Sequence, residues 1–364
     1  MFKKKLLVAA ILSAAVGAAA AAEVTVFGTV DTGMRYMNVK QDGHHTDSME
    51  LVSGDNLSPA VGIKGEEKIN DDVTVFFHLE QGYYLDDGSR AFEGRTFGRE
   101  ATLGLKGDFG TVAVGRMGSI GSAAGTYDLE CAIDAFGAGY TDAGIQATIV
   151  ETSRLDNAIT YVSPRMAGLQ ATLQYSNQLG YTDTSVEQTH MNENTRYVGA
   201  GLNYQVGNLN ATLMYEREIK PSSLHAEDAT LVTGGLSYDF GFATVYGAYQ
   251  HGEGYGDNSQ FAGWFYEPEV NGVTDYVNKN DSFAIGLGAP LGENVWLMTS
   301  VQYMDGETLG GKDAKRIVGG VGAIYTFSKR TQLYSALSYS DGKDALDNIG
   351  LDRTVVNFGL SHTF

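Results

Sequence analysis

The chain has 364 residues, with 47 glycines, 21 tyrosines, 5 prolines, one cysteine and a formal charge of −19. Abundant glycine without a triplet repeat or much proline excludes collagen, and the aromatic content excludes a disordered chain; one cysteine excludes a disulfide framework and a four-cysteine zinc site. So acidic a chain also lacks the basic footprint that a nucleic-acid partner requires.

Lys3, Lys4 and Lys5 precede an apolar stretch from Leu6 to Leu12, and the run ends in small residues, Ala20 and Ala22 among them. This is the order of a secretory signal peptide, so residues 1–22 are expected to be cleaved and 23–364 to form the mature domain. Losing the three lysines takes the formal charge from −19 to −22. No later run approaches the about 20 apolar residues of a spanning helix. The one thiol, Cys131, reads as an incidental small residue.

From residue 24 onward the pattern has period two. In LQATLQYS, Leu169, Ala171, Leu173 and Tyr175 fall on one face and Gln170, Thr172, Gln174 and Ser176 on the other. DVTVFFHLEQ and the terminal VVNFGLSHTF alternate in the same way. Sixteen such runs are read, at approximately 24–37, 57–68, 72–84, 96–106, 110–117, 153–163, 168–177, 195–206, 209–219, 228–239, 241–251, 280–289, 294–304, 314–327, 331–341 and 351–364. Connections alternate between short (70–71, 107–109, 207–208, 328–330) and long (118–152, 178–194, 252–279), the plan of an up-and-down membrane barrel.

Which solvent meets the apolar faces follows from the other faces. A soluble sandwich would carry frequent Lys, Glu and Arg there. Here they carry Thr, Ser, Gln, Asn and Gly, with charged residues only 19% of the chain and concentrated in the expected loops. A sheet in lipid must close, because an open edge would strand backbone donors and acceptors. Tyr36, Tyr84, Tyr161, Tyr175, Tyr204, Tyr238, Tyr303 and Tyr339, near strand ends, fit interfacial aromatic girdles. About sixteen strands leave a water-filled lumen where eight would fill it with side chains.

At VTVFGTVDTGMRY, GIKGEEKINDDVTVFFHLEQGY (62–83), FGREATLGLKGDFGTVAVGRM (97–117), RLDNAITYVSPRMAGLQATLQYS (154–176) and the terminal VVNFGLSHTF, the sequence resembles the trimeric general porins of the Gram-negative (proteobacterial) outer membrane. The resemblance implies an all-β, 16-stranded antiparallel transmembrane β-barrel, three per assembly, whose third external loop folds inward to constrict the pore. That loop is roughly 118–152 and carries Asp128, Glu130, Asp134, Asp142 and Glu151, of which Asp128, Glu130 and Asp134 are taken as the acidic side of the constriction. Lys64, Arg99 and Arg154 are the corresponding basic wall, with Arg35 and Arg116 as further wall candidates. Alternation independently turns Lys64 to water, beside Gly62 and Glu66, and turns Arg154 with Asp156 and Thr160. It does not do so for Arg99, which shares parity with Ala101, Leu103 and Leu105; burial of that strand's outer face between subunits is one explanation. Phe364 resembles the terminal signal read by the outer-membrane assembly machinery.

The mechanism so implied has no chemical step and needs no cofactor. Small hydrophilic solutes and ions diffuse down their gradients, and selection comes from the cross-section and lining charges of the constriction. The net charge suggests cation preference, although salt screens loop acids beyond about 8 Å. Neither G-x-S-x-G nor H-E-x-x-H occurs, and the seven histidines are scattered, His44 and His45 in an expected surface loop, so neither an enzyme nor a metal site is read. A substrate-specific oligosaccharide channel remains an alternative, with Trp264, Phe265, Tyr266 and Tyr276 as a stacking track, as does an adhesin or structural barrel. Acidic external loops are expected to meet outer-membrane lipid and, through divalent cations, lipopolysaccharide.

Overall fold

The computed structural model describes residues 23–364 except 123–124, 138, 141, 153, 180–193, 222–226, 257–260, 263–274 and 348. The expected signal segment 1–22, Trp264, Phe265 and Tyr266, and His190 and His225 lie outside the described residues.

Strand β1 (Glu23–Gln41) turns at Asp42 and Gly43, both left-handed at φ 50° and 75°, into β2. That stave is broken: His44–Ser53 pairs with residues 32–41 of β1, and Ala60–Lys68 pairs with residues 23–29. There follow β3 (Val73–Gly82), β4 (Glu100–Gly107), β5 (Gly110–Gly118), β6 (Arg154–Val162), β7 (Leu169–Ser176) and β8 (Arg196–Val206). Next are β9 (Leu209–Ile219), β10 (Ala229–Asp239), β11 (Thr244–Glu253) and β12 (Val277–Leu291). The last four are β13 (Val295–Thr308), β14 (Asp313–Ser328), β15 (Thr331–Asp344) and β16 (Ile349–Thr363). Each pairs antiparallel with the next, and β16 returns to β1 with Thr29 opposite Thr363. With the halves of β2 counted as one stave the barrel has sixteen, closed as a sheet in lipid requires.

The polarity of this barrel is the inverse of a soluble domain. Leu173, Leu213, Ile285, Val301, Val321 and Phe358 are each more than half exposed, while Gln174, Gln250, Gln302, Thr160, Ser300 and Ser338 are buried. Apolar side chains therefore cover the outside and amides and hydroxyls the inside, which is stable where hydrocarbon surrounds the sheet. Seven of the eight named tyrosines are exposed, Tyr175 being half-buried. Both termini of the barrel lie at the short-turn rim, where the Gly28 and Phe364 backbones exchange hydrogen bonds of 3.1 and 3.0 Å and the Phe364 ring covers Gly28.

Two details depart from expectation. The segment His44–Ser53 is strand, so His44 and His45 begin the second limb of a projecting hairpin instead of lying in a loop. In β6, Asn157 is left-handed (φ 50°) and the register slips between Gly115 and Met117. That bulge resets the pleat. Leu155 and Thr160 are consequently both buried, and the parity that grouped Arg154 and Asp156 with Thr160 does not carry through.

Candidate functional site

The connection between β5 and β6, here L3, does not project from the barrel. Its side chains lie on glycines of the inner wall: Leu129 against Gly201, Ile133 against Gly235, Ala135 against Gly286, Phe136 against Gly322 and Ala143 against Gly320. A loop buried in this way must find partners for its backbone. The lumen faces of β11–β14 supply them. Gln250 brackets Val150, accepting from its amide and donating to its carbonyl at 2.8 Å each, and Ser300 donates to Ala143 (2.7 Å). Gln302 donates to Gly144 (2.9 Å), and Arg316 to Ala147 (2.6 Å). Two short 3₁₀ turns, Cys131–Ile133 and Ile145–Ala147, compact the loop.

The tip of L3 is received by the break in β2. The Tyr140 amide donates to the Asp55 carbonyl (2.6 Å) and its hydroxyl to Asn56 (2.8 Å). Burial, with Asp31 and Asp55 nearby, pushes the Tyr140 phenol upward, so it remains a neutral donor. Beside the tip, Asp142 is fully buried and held by two guanidinium groups. Arg316 donates to Oδ1 (2.8 Å), and Arg353 donates to Oδ1 and Oδ2 (2.6 Å each). Burial alone would raise this carboxyl, but the two arginines hold it well below the usual range.

The acids assigned to the pore-facing side of L3 have distinct surroundings. Glu130 is 1% exposed, and burial followed by Glu151, Glu216 and Asp134 pushes its carboxyl well up. Asp134 is also buried and braces L3 itself, accepting from the amides of Phe136 (3.1 Å) and Ile145 (3.3 Å). Asp128 is half-buried with a left-handed backbone (φ 49°). Glu151 belongs to a two-residue strand, Glu151–Thr152, paired with Phe261–Ala262.

Across the lumen stands the wall of β1–β4. Arg35 is paired with Asp55 and lies 3.7 Å from Glu50. Lys64 points inward with its ammonium 5.1 Å from the centroid of Phe27. Arg99 is paired with Glu80, and its carbonyl accepts from Arg154 (3.0 Å), whose guanidinium also donates to Ser122 (2.7 Å). His78, Glu80, Arg99, Glu100, Thr126 and Arg154 thus enclose a cavity of ≈ 170 Å³ between wall and L3. Arg99 immediately precedes β4, where the pleat has not begun, so strand parity does not govern it and a subunit contact is not needed to explain it. Arg116 takes the outward parity of Val114 and donates to Asp156 (2.7 Å) and to the Gly98 carbonyl (2.7 Å), over the ring of Phe92.

Sequence reasoning missed Arg316 and Arg353. The signal was present: each shares parity with small or polar residues, Gly320 and Gly322 for Arg316 and Asn357 for Arg353, opposite Ile317, Val321, Val356 and Phe358. A charge on that face of a strand belongs to the lumen. Among the described residues no group of acids, histidines and cysteine is arranged to hold a metal ion.

The Gram-negative porin family model matches residues 7–345. An outer membrane porin protein of Bordetella pertussis is 32% identical over an alignment covering 100% of both chains. Outer membrane porin protein 32 of Delftia acidovorans is 28% identical, again with 100% of both covered. Of solved structures, the anion-selective porin from Comamonas acidovorans has a TM-score of 0.70 at 24% identity, covering 94% of this chain and 100% of that one. OmpT of Vibrio cholerae in its trimer form gives 0.63 at 16%, covering 94% and 100%.

Proposed function

The chain belongs to the Gram-negative porin family and is a general porin channel of the outer membrane, not an enzyme; from this premise we propose how it selects what passes. Small hydrophilic solutes and ions cross by passive diffusion through the space between L3 and the β1–β4 wall. The observation that carries this reading is the seating of L3: apart from its tip, where the Tyr140 amide is held by Asp55, its backbone partners come mainly from β11–β14, which leaves the part of the opposite wall that carries Lys64 facing water. Lys64, Arg99, Arg154 and Arg35 form the basic side of the constriction, and Asp128 is the loop acid nearest to water. Arg116, on outward parity, serves the outer rim.

The formal charge of the mature chain is a poor guide to selectivity here, because Glu130, Asp134 and Asp142 are buried. We propose a weak anion preference set by Lys64 and Arg154, a direction that the anion-selective relative from Comamonas supports by analogy. Reversal potentials of the purified protein in a KCl gradient test this, and a clear cation preference refutes it. Liposome swelling by small sugars tests the pore itself against the adhesin reading.

The functional unit is proposed to be a homotrimer, as in the trimer form of OmpT. Residues 1–22 are the proposed export signal and Phe364 the terminal residue read by the assembly machinery. Lipopolysaccharide at the long-loop rim is a further proposed partner.

A further inference from the structure

The cavity between L3 and the charged wall adjoins a second one of ≈ 360 Å³, and three residues line both: His78 of β3, Glu100 of β4 and Thr126 of L3. Thr126 donates to Glu100 (2.8 Å), which ties the first arm of L3 to the wall at this point. His78 stands at the same junction between two carboxylates. Its Nε2 lies 3.1 Å from Glu80 and its Nδ1 3.5 Å from Glu100. A neutral imidazole has one N–H and can turn it toward only one carboxylate, whereas the doubly protonated ring turns one toward each.

Each neighbouring element contributes to the surroundings of this ring. Lys64 is opposite on β2 and Thr102 opposite on β4, and Phe27 of β1 meets the imidazole edge to face with ring centroids 5.0 Å apart. Arg99 and Arg154 line the first cavity; Glu23 and the pair Glu66 and Lys106 line the second. With 26% of its side chain exposed, His78 is within reach of lumen water. The other described histidines are placed elsewhere: His251 and His362 share the outward parity of Tyr249 and Leu360, and His44 and His45 are on the projecting hairpin. Glu130 and Glu216, each 1% exposed, are closed off from lumen water beneath L3.

We propose that His78 is a specificity-determining residue of the constriction, which adds a positive charge to the permeation path in mildly acidic medium and so strengthens anion preference there. The proposal rests on the reading above that ions pass between L3 and the β1–β4 wall. Imidazole is the side chain that ordinarily changes charge between about pH 8 and about pH 5. Lys64, Arg99 and Arg154 face Glu80 and Glu100 at this junction, so one further cation is a large fraction of the local balance. Lining charges at a narrow section select among ions.

The test uses the full-length protein in planar bilayers under a KCl gradient, with the chloride-to-potassium permeability ratio taken from the reversal potential. The parent's ratio is expected to rise about two- to threefold from about pH 8 to about pH 5, the effect of one charge partly screened by water and salt. His78→Gln is expected to hold the ratio at the parent's alkaline value throughout, and His78→Lys at its acidic value; either variant decides the question if the other fails to insert. Glu130→Gln is expected to leave the rise in place. A parent ratio that does not change with pH, or an undiminished rise in His78→Gln, overturns the assignment and leaves the channel standing. A cation preference that still weakens on acidification through His78 would support this residue and refute the anion preference proposed above. Absence of any KCl current would instead defeat the channel reading.

Discussion

Replacing Asp142 by asparagine tests what holds L3 in place. The substitution keeps the shape and removes the charge that faces Arg316 and Arg353. Three charge-assisted hydrogen bonds of 2.6–2.8 Å become weaker or are lost. Arg316, with a side chain 0% exposed, is left beside a second guanidinium. Removing one partner of a buried ion pair costs about 3–5 kcal/mol. At about 1.4 kcal/mol per factor of ten, the seated state of L3 loses roughly two to three and a half orders of magnitude against released states. The cost falls on the loop, because the sixteen staves keep their own backbone ladders. Asp142→Asn is therefore expected to fold and insert as a barrel, to show excess open-channel noise and sublevels in single-channel recordings, and to be cleaved within 119–150 by added protease. A variant with quiet single-level currents and the protease resistance of the parent would show that the two arginines do not hold L3.

The pH dependence of L3 seating has two limbs. Asp142, depressed when folded, contributes stability that is complete above the ordinary aspartate pKa of about 3.9 and is lost as pH falls through its lower folded value. Glu130, raised when folded, contributes stability that is complete below the ordinary glutamate value of about 4.3 and is lost as pH rises toward its elevated folded value. Channel noise should thus increase toward alkaline pH, and Glu130→Gln should flatten that limb; an unchanged alkaline limb in Glu130→Gln would assign it elsewhere. At Gly320 an added Cβ would lie 2.8 Å from Ala143 Cβ, so Gly320→Val should cost about 1–3 kcal/mol and displace L3 into the lumen, read as altered unit conductance. Parental conductance would contradict this packing. On the outer face, Val301→Arg should cost roughly 2–4 kcal/mol in urea titrations of folding into lipid vesicles, whereas a soluble sheet would tolerate it.

The staves were legible because two solvents act on one strand: hydrocarbon and water sort its alternate residues, and this sorting does not depend on details of packing. The segment 44–53 escaped because its first four residues, His44 to Asp47, are polar on both faces where the hairpin rises beyond the membrane. Arg154 was assigned by a parity that the bulge at Asn157 interrupts, and Arg99 by a pleat that starts one residue later. The L3 acids were the least legible. A loop acid has no periodicity, so nothing local separates Asp128, which is half-buried, from Glu130 and Asp142, which are buried. Their partners, Glu216, Arg316 and Arg353, come from staves far along the chain.

The two walls of the lumen perform different physical tasks, and the glycines show where each begins. Gly201, Gly235, Gly286, Gly320 and Gly322 lie under L3, and side chains there would occupy the loop's seat. On the β1–β4 wall the inward positions instead carry long side chains, Arg35, Lys64, His78 and Lys106 among them. A barrel of identical staves would have a symmetric lumen and no preferred seat for a loop. Small residues on one side and long charged ones on the other break that symmetry, so L3 has one low-energy position and the permeation path is confined to the charged side. Selectivity then depends on a few wall residues and on the groups fixing the loop opposite them, which is why exchanging Asp142, a residue with no access to the lumen, is expected to change the current.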